Sequence, residues 1–505
     1  LTPIILFVIL MILLYVPPVQ NFIRKQATAI ASDATGMNIS VERIDLRFPL
    51  NLLVRGVQVV QSEADAADVQ HPDTLLNLGS LNVSVQAWPL LQGRVEVNDI
   101  TLQQVAVNSS NLLEGMHIKG TLGRFFLESH GIDLKKEDAI LNNVELSNTH
   151  MQVMLADTTE TPKDSTETAV NWRIALHNLK LKNVSVDLQM PLDSMALGAN
   201  IGDASIEDAN VDLKRQFYGW RRFTLTESAV NYDSGMAAPV EGFDASHIAL
   251  RDIRIGIDSV MACGRDMNAI IREFSMYDRS GLTVTSLTGR LFADSTLIRI
   301  PYLQLKTPHS DMDLTAQTYW KLVDIPTTGH LSARFNANIG KQDVLLFAGG
   351  LPETFKEAYP FRPLVIHAGT EGNLKQMQIS RFTAELPGAF FLSGGGELWN
   401  LTDSLTRNGG LDFEMQTQDL NFLTGLTGVT PDGSIIVPDS MNLVARLGLD
   451  GPQCNAILKI KEGEGSLGLD AAYNLNTEVY HADLAIDALQ LHHFLPKDSI
   501  YTLTA

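Results

Sequence analysis

Apolar and polar residues alternate through much of residues 76–107, and this spacing is typical of half-buried β-strands. Leu81, Val83 and Val85 are separated by single polar residues. Residues 88–93 (WPLLQG) then predict a turn, because proline and glycine favour chain reversal. A second alternating run follows, so the stretch predicts two antiparallel strands that each have one apolar face.

The second run changes phase, because Val97 and Ile100 are three residues apart instead of two. A step of three inside a strand predicts a β-bulge, which redirects the side chains that follow it. The same pattern, apolar-x-Asn/Asp-apolar-x-apolar, occurs at residues 97–102, 141–146, 176–181, 201–206 and 250–255. These copies predict a repeated sheet unit joined by loops of different length.

Past residue 295 the alternating runs lengthen and return in copies of roughly 75 residues, each with several strands and one short helical crossover. We expect a mostly β fold, in which an elongated, curled antiparallel β-sheet forms a β-taco or half-open solenoid. An N-terminal β-repeat region covers residues 37–295, and the longer repeats cover residues 296–505.

The first residues have the composition of a membrane anchor. Residues 1–16 carry no charge, and a spanning helix needs roughly 17 to 25 residues. We predict a transmembrane helix at residues 1–17 and a short amphipathic helix at residues 18–36. A cleaved signal peptide is the alternative, with Ala29-Ile30-Ala31 as a loose cleavage site. The predicted anchor residues include Ile4, Leu6, Val8, Leu10 and Leu13.

Composition and charge narrow the functional classes. The 505 residues are 45% hydrophobic but only 7% aromatic, and the formal net charge is −20. This acidic balance argues against nucleic acid as a partner, because phosphate binding needs clustered positive charge. Cys263 and Cys454 are too few for a disulfide framework.

No cluster in the sequence has the spacing of a catalytic or metal site. His492-His493 lacks a third ligand at a defined spacing, and adjacent residues on a strand face opposite sides. Gly394-Gly395-Gly396 lacks the GK[ST] ending of a phosphate-binding loop, and a bulge or turn is the simpler interpretation. We expect no enzyme activity, no metal and no cofactor.

A sheet with one apolar face must cover that face, and the sequence predicts no long amphipathic helix to pack on it. Either the sheet folds on itself around a dry core, or it curls incompletely and leaves a groove that accepts lipid acyl chains. The candidate groove residues are Leu81, Val83, Val85, Val95, Val97, Ile100, Leu102, Val144, Leu146, Leu179, Leu181, Ile253 and Ile255.

Four features in this order resemble the AsmA/TamB family of Gram-negative envelope proteins, within the bridge-like lipid-transfer superfamily. They are the N-terminal span, the short helix that ends at Thr35-Gly36, residues 41–50 (VERIDLRFPL) followed by residues 56–59 (GVQV), and the later repeats. The resemblance covers nearly the whole chain.

The resemblance implies a single-pass protein of the bacterial inner membrane, with its bulk in the periplasm and a hydrophobic groove that carries phospholipids toward the outer membrane. TamB-like members are also associated with outer-membrane protein assembly beside a β-barrel of the TamA/BamA type, so an assembly scaffold is the alternative. The sequence ends at Ala505 without the long C-terminal domain of a TamB-like protein, and we expect a fragment or a shorter relative.

Overall fold

The computed structural model describes residues 21, 24–26, 28–29, 32, 37–47, 51–60, 74–86, 97–109, 115–133, 136–155, 171–427 and 433–497. The predicted transmembrane helix at residues 1–17, with Ile4, Leu6, Val8, Leu10 and Leu13, lies outside the described residues. Residues 24–26 and 28–29 are helical, inside the range predicted for the amphipathic helix. Within the described ranges, no helix combines the length and apolar content that crossing a membrane requires.

The chain divides into two compact units, and each is described by itself. Unit 1 comprises Leu1–Pro239 and Ala245–Gly264, and unit 2 comprises Val240–Asp244 and Arg265–Ala505. The boundary that the repeat pattern places at residue 295 lies inside unit 2.

Unit 1 is a continuous sheet in which each described strand pairs with the next one along the chain. Strands β5 to β9 have 18 residues each, whereas strands commonly have about 5 to 6. The strands are β1 (Asn38–Arg47), β2 (Asn51–Val60), β3 (Thr74–Val85), β4 (Val97–Asn108), β5 (Met116–Asp133), β6 (Asp138–Leu155), β7 (Arg173–Met190), β8 (Met195–Asp212), β9 (Phe217–Ser234) and β10 (His247–Cys263). A 3-10 helix, Pro191–Asp193, joins β7 to β8.

The prediction of a wholly antiparallel sheet is wrong at one place, because β6 and β7 are parallel. A parallel pair needs a connection of about a dozen residues or more, and the segment between β6 and β7 includes residues 156–170, outside the described part. Asn178 Nδ2 donates to Asn143 Oδ1 at 3.3 Å, and Asn183 Nδ2 donates to Asn148 Oδ1 at 3.2 Å. Matching amides in register therefore support the parallel pairing.

The strands of unit 2 also pair without a break, and all of their recorded pairs are antiparallel. Its strands are β11 (Asp266–Asp278), β12 (Thr283–Val284), β13 (Ser286–Ala293), β14 (Leu297–Lys306), β15 (Asp311–Tyr319), β16 (Leu331–Ile339), β17 (Leu364–Asn373), β18 (Gln376–Leu386), β19 (Phe390–Trp399), β20 (Asn408–Thr417), β21 (Asn442–Asp450), β22 (Gln453–Glu462), β23 (Gly465–Asn474) and β24 (Tyr480–Asp487). Its α-helices are α1 (Trp320–Asp324), α2 (Lys341–Phe347) and α3 (Glu353–Ala358), and its 3-10 helices are Asn421–Thr427 and Leu491–His493.

The buried core of unit 2 lies at one end of its strands. The core consists of Phe355, Tyr359, Leu386, Ala389, Leu420, Phe422 and Met441. The ring centre of Phe422 lies 5.9 Å from that of Phe355 and 5.5 Å from that of Tyr359. We call this core, together with α2, α3 and the 3-10 helix Asn421–Thr427, the cap. The cap covers one end of these strands, because it packs on residues at or near the ends of β17, β18, β19, β20 and β22.

Candidate functional site

The pairing of strands in unit 1 is interrupted at one level in strand after strand. The residues at this level are Glu42, Gly56, Gly79, Gln104, Gly123, Asn148, Asn183, Gly202 and Glu227. We call them the first bend row. Five of them have a left-handed backbone, with φ from 52° to 59°. Such a residue inside a strand bends the strand and redirects the side chains beyond it.

Side chains of the first bend row fit against glycines on the adjacent strand. A Cβ atom on Gly79 would lie 2.9 Å from Gln104 Cβ, and one on Gly202 would lie 2.7 Å from Glu227 Cβ. Glycine is required at these positions because the neighbouring chain occupies the space of a side chain. In these two pairs, the glycine on one strand leaves room for the larger residue of the row on the adjacent strand.

The bends keep apolar residues on one face of the sheet. Leu78 and Leu81 are three residues apart on β3, and Leu181 and Val184 are three apart on β7. In a regular strand, residues three apart face opposite sides. The bend between them turns the strand, so both apolar residues face the same side. All five sequence phase changes coincide with interruptions of the pairing. The register shifts, as at a β-bulge, at residues 97–102, 141–146 and 250–255, so the predicted bulges are confirmed there. At residues 176–181 and 201–206 the paired strands skip the same number of residues and keep their register, so the prediction of a bulge is wrong at these two sites.

A second bend row crosses β5 to β10, and every residue in it is polar. It consists of His130, Asn142, His177, Asp208, Arg221 and Ser259. Arg221 Nε donates to Asp208 Oδ2 at 2.7 Å, and His177 Nδ1 lies 3.2 Å from Asp208 Oδ1. The hydrogen bond from Arg221, followed by that from His177, holds the pKa of Asp208 below its usual 3.8. All of the row except Asn142 is exposed, so these polar bends face water.

Two unbroken rows of apolar side chains run beside the first bend row. Paired residues of adjacent strands point to the same side of a sheet, so each row can be followed from β1 to β10. One row is Ile44, Val54, Leu81, Leu102, Phe125, Leu146, Leu181, Ala204, Leu225 and Ile255. The other is Leu46, Leu52, Val83, Ile100, Leu127, Val144, Leu179, Ile206, Phe223 and Ile257. We call these twenty residues the apolar band.

The structure brings most of the candidate groove residues together in the apolar band. The members among them are Leu81, Val83, Ile100, Leu102, Val144, Leu146, Leu179, Leu181 and Ile255. Val85 and Val97 pair with each other one step farther along the same face. Ile253 lies apart from the band, buried and paired with Ser228. Val95 lies outside the described residues.

The apolar band is not a closed core. Of its twenty side chains only Ala204 is buried, and none is exposed beyond the intermediate range. The described part of unit 1 has seven buried apolar residues, which are scattered over six strands. A dry sandwich would instead bury both rows at close packing. Ten strands at about 4.8 Å spacing make the band roughly 40 Å long.

The opposite face of the same strands is polar. Asn143 Nδ2 donates to Glu128 Oε2 at 2.7 Å, and Arg222 Nε lies 3.1 Å from Asp258 Oδ1. Water hydrates such a face without cost, whereas the apolar face needs an apolar partner. Unit 1 is thus an amphipathic sheet whose apolar side is only half covered.

Unit 2 repeats this amphipathic design on shorter strands. Four rows on one face of β19 to β24 contain only apolar residues, glycine and tyrosine. From the cap outward, the rows are Leu392, Met415, Leu443, Ile460, Leu467, Ile486; Gly394, Phe413, Ala445, Leu458, Leu469, Leu484; Gly396, Leu411, Leu447, Ala456, Ala471, Ala482; and Leu398, Gly409, Leu449, Cys454, Tyr473, Tyr480. The cap packs on Met415 and Ile460 of the first row.

The sequence matches no protein-family model and no curated protein. The likeness to the AsmA/TamB family is therefore a resemblance of residue patterns.

The described residues contain no group of three His, Cys, Asp or Glu side chains that could hold a metal ion. His492 and His493 lie in a 3-10 helix and not in a strand, contrary to the interpretation of their sequence. His493 Nδ1 lies 2.6 Å from Glu462 Oε1, which ties this helix to the end of β22. Cys263 and Cys454 are free thiols.

Several band residues were missed by sequence reasoning. Phe125 and Leu127 on β5, and Phe223 and Leu225 on β9, lie outside the Asn/Asp pattern. Alternation identifies Phe223 and Leu225, whereas the apolar Phe126 between Phe125 and Leu127 obscures it on β5. Their place beside the predicted residues depends on strand register, which the sequence of one strand does not contain.

Proposed function

We propose that this chain is an inner-membrane-anchored bridge that carries phospholipids along its apolar face toward the outer membrane. The observation that supports the proposal is the apolar band, twenty side chains in two unbroken rows that stay partly open to solvent. The resemblance to the AsmA/TamB family supplies the cellular setting and the curled, taco-like sheet. The sequence of the predicted anchor supplies the attachment to the membrane.

An apolar surface of this length lowers the main barrier to lipid movement. A diacyl lipid has roughly 30 methylenes, and hydrating them at about 0.8 kcal/mol each costs on the order of 20 kcal/mol. Contact with Leu, Val and Ile side chains replaces most of that exposure to water. A lipid on the band therefore avoids the free-energy cost of crossing an aqueous gap.

The chemistry of the band favours movement along it. Neither row contains a polar side chain from β1 to β10. Each strand offers an acyl chain nearly the same weak dispersion contacts as the strand before it. Because no position is strongly preferred, the tail slides while the head group remains in water.

An assembly scaffold is the second candidate, because β24 presents an open edge in the described part of the chain. β24 pairs with β23, and all eight of its residues are exposed, Tyr480 by 80% and Leu484 by 61%. An exposed apolar edge can add a strand from a client protein. Strand addition at β24 does not require the apolar band, so variants of the band separate the two functions.

A pair of neighbouring substitutions on β4 tests the bridge. Leu102 lies in the apolar band, whereas Gln103 is exposed on the other face. Leu102→Asp places a charge in the path of the acyl chain, while Gln103→Asp places the same charge in water. We expect Leu102→Asp to slow transfer of a fluorescent phospholipid between vesicles at least tenfold, which corresponds to about 1.4 kcal/mol. Gln103→Asp should transfer as wild type does.

Folding is checked for both variants by circular dichroism and by the midpoint of urea unfolding. Leu102→Gln, which is polar but uncharged, serves where Leu102→Asp is unfolded, and a smaller loss of transfer is expected. Wild-type transfer by a folded Leu102→Asp protein would overturn the bridge. Phospholipid that co-purifies with the wild-type chain, identified by mass spectrometry, would be direct support.

A further inference from the structure

We propose that unit 2 holds a discrete binding cavity for one unbranched acyl chain, separate from the apolar band along which lipids slide. The cavity lies on the apolar face of β19 to β24 and has a volume of about 480 Å³. Ligand pockets commonly have volumes of about 300 to 1,000 Å³. The inference rests on the proposed function in one respect, namely that apolar sheet faces of this chain accept lipid tails.

The shape of the cavity follows from strand register. Ala456, Ala471 and Ala482 are paired in turn on β22, β23 and β24, and form its floor. The row nearer the cap carries leucines at the same strands, and the row on the other side carries Tyr473 and Tyr480. The larger side chains on both sides make the floor a depression.

The chemistry of the lining excludes a charged ligand group inside the cavity. Among the described residues that line it, none is Lys, Arg, Asp or Glu. Asn455 and His481 belong to the row between the floor and the tyrosines, so their side chains point to the opposite face of the sheet. On that face His481 Nε2 lies 2.9 Å from Asp483 Oδ2. An ionised group inside such a site would lose its hydration without gaining a partner.

The same lining argues against a peptide as the occupant. An extended peptide on the alanine floor would place backbone N–H and C=O groups against leucine and alanine side chains. These side chains offer no hydrogen-bond partner. A helix is about 10 to 12 Å across with its side chains. The flanking rows are about 14 Å apart between Cα atoms, and their side chains narrow that gap further. A hydrocarbon chain is narrower and has no polar group to satisfy.

One acyl chain is therefore the ligand that fits, whether it belongs to a free fatty acid or is one tail of a phospholipid. Tyr473 and Tyr480 are 40% and 80% exposed, so the wall that carries them reaches solvent. A head group attached to the bound chain has access to water on that side. The cavity would retain a lipid tail, whereas the uniform rows of the apolar band would let it pass.

A matched pair of substitutions on β24 tests the cavity. Ala482 lines the cavity, and Ala485 lies three residues away on the opposite face of the same edge strand. Ala482→Phe fills the cavity, while Ala485→Phe adds the same ring outside it. With cis-parinaric acid as the fluorescent probe and the full chain in solution, we expect Ala482→Phe to raise the Kd at least tenfold. Ala485→Phe should leave the Kd unchanged.

Two competitors identify the source of the chain. Hexadecanoate and a phospholipid presented in vesicles are each titrated against the bound probe. Displacement by either one supports the cavity and names its ligand. Failure of both to displace the probe, or an equal Kd in the Ala482→Phe and wild-type proteins, would overturn it.

Vesicle-to-vesicle phospholipid transfer keeps this test separate from the proposed function. If the wild-type chain transfers phospholipid and Ala482→Phe leaves the Kd of the probe unchanged, the proposed cavity is refuted and the proposed bridge is not. If the wild-type chain transfers no phospholipid, the proposed bridge is refuted. The cavity is still supported in that case when the probe binds to the wild-type chain and Ala482→Phe abolishes this binding.

Discussion

The bend at Gly202 depends on the absence of one methyl group. A Cβ atom there would lie 2.4 Å from the carbonyl oxygen of Glu227 and 2.7 Å from its Cβ. Because a backbone atom of a left-handed residue is in the way, no side-chain rotation relieves the clash. We expect Gly202→Ala to lower the free energy of unfolding by about 1 to 3 kcal/mol, measured by urea denaturation of the purified chain.

Gly198→Ala on the same strand is the control for this prediction. Its nearest neighbour would be Asp187 Oδ1 at 3.2 Å, the end of a side chain that can move. We expect a change within about 0.5 kcal/mol, as at other tolerant surface positions. Equal losses in the two variants would contradict a special requirement for glycine in the first bend row.

Lys341 should make the stability of unit 2 depend on pH. This lysine is buried in α2, where Nζ donates to the carbonyl oxygen of Glu357 at 3.1 Å and lies 4.4 Å from the ring centre of Phe361. Burial lowers the pKa of Lys341 below its usual 10.5. The unfolded state therefore binds this proton more tightly, so stability rises with pH between the folded pKa and 10.5.

Lys341→Met removes the titrating group, so the variant lacks this increase in stability with pH. We expect the unfolding free energy of the variant, relative to wild type, to fall as pH is raised from neutral toward 10.5. Thermal unfolding of both proteins across that range measures the difference. A difference that stays constant with pH would contradict the assignment.

Residue patterns predicted what is local and missed what depends on register. The alternation around Leu81 and the step from Val97 to Ile100 are properties of one strand, so both were visible in the sequence. Gly79 and Gln104 belong to different strands, and nothing in either segment shows that they meet. The first bend row could therefore not be predicted as a row, although the phase change at residues 201–206 predicted the interruption at Gly202.

At the scale of elements, the direction of β7 was the main error. The sequence of β7 alternates as an antiparallel strand would, and its direction is set by the connection from β6 instead. The apolar residues from Val344 to Phe347 form part of α2. Contact of Val344 and Leu345 with the cap favours the helix there, and that packing involves residues far away in the sequence.

Phe422 tests whether the cap is an independent source of stability for unit 2. Phe422 is only 9% exposed. Its ring contacts Phe355 in α3 and Tyr359, the residue that follows α3. We expect Phe422→Ala to cost about 3 to 5 kcal/mol, the usual range for removing a buried phenyl ring. Hydrogen exchange should accelerate first in α2 and α3, because they lose this packing.

Leu426→Ala is the control, since Leu426 lies in the same 3-10 helix and is 46% exposed. It should change stability by less than about 1 kcal/mol. If exchange accelerated equally throughout unit 2 in Phe422→Ala, the cap would unfold together with the sheet and not before it.

At the scale of the whole molecule, charge should govern how the chain approaches a bilayer. The 58 acidic residues outnumber the 38 lysines and arginines, and the formal net charge is −20. An anionic membrane repels such a protein, and the range of the repulsion is set by ionic strength. The Debye length shortens from about 30 Å at 0.01 M salt to about 10 Å at 0.1 M.

We expect phospholipid transfer from phosphatidylglycerol vesicles to become several-fold faster when salt is raised across that range, because screening lets the protein reach the bilayer. Transfer from zwitterionic phosphatidylcholine vesicles should change little, since those vesicles carry no net charge to screen. The two rates are measured with the same fluorescent phospholipid and the same full chain. A rate that falls with salt on anionic vesicles would instead reveal a local basic contact surface that overrides the net charge.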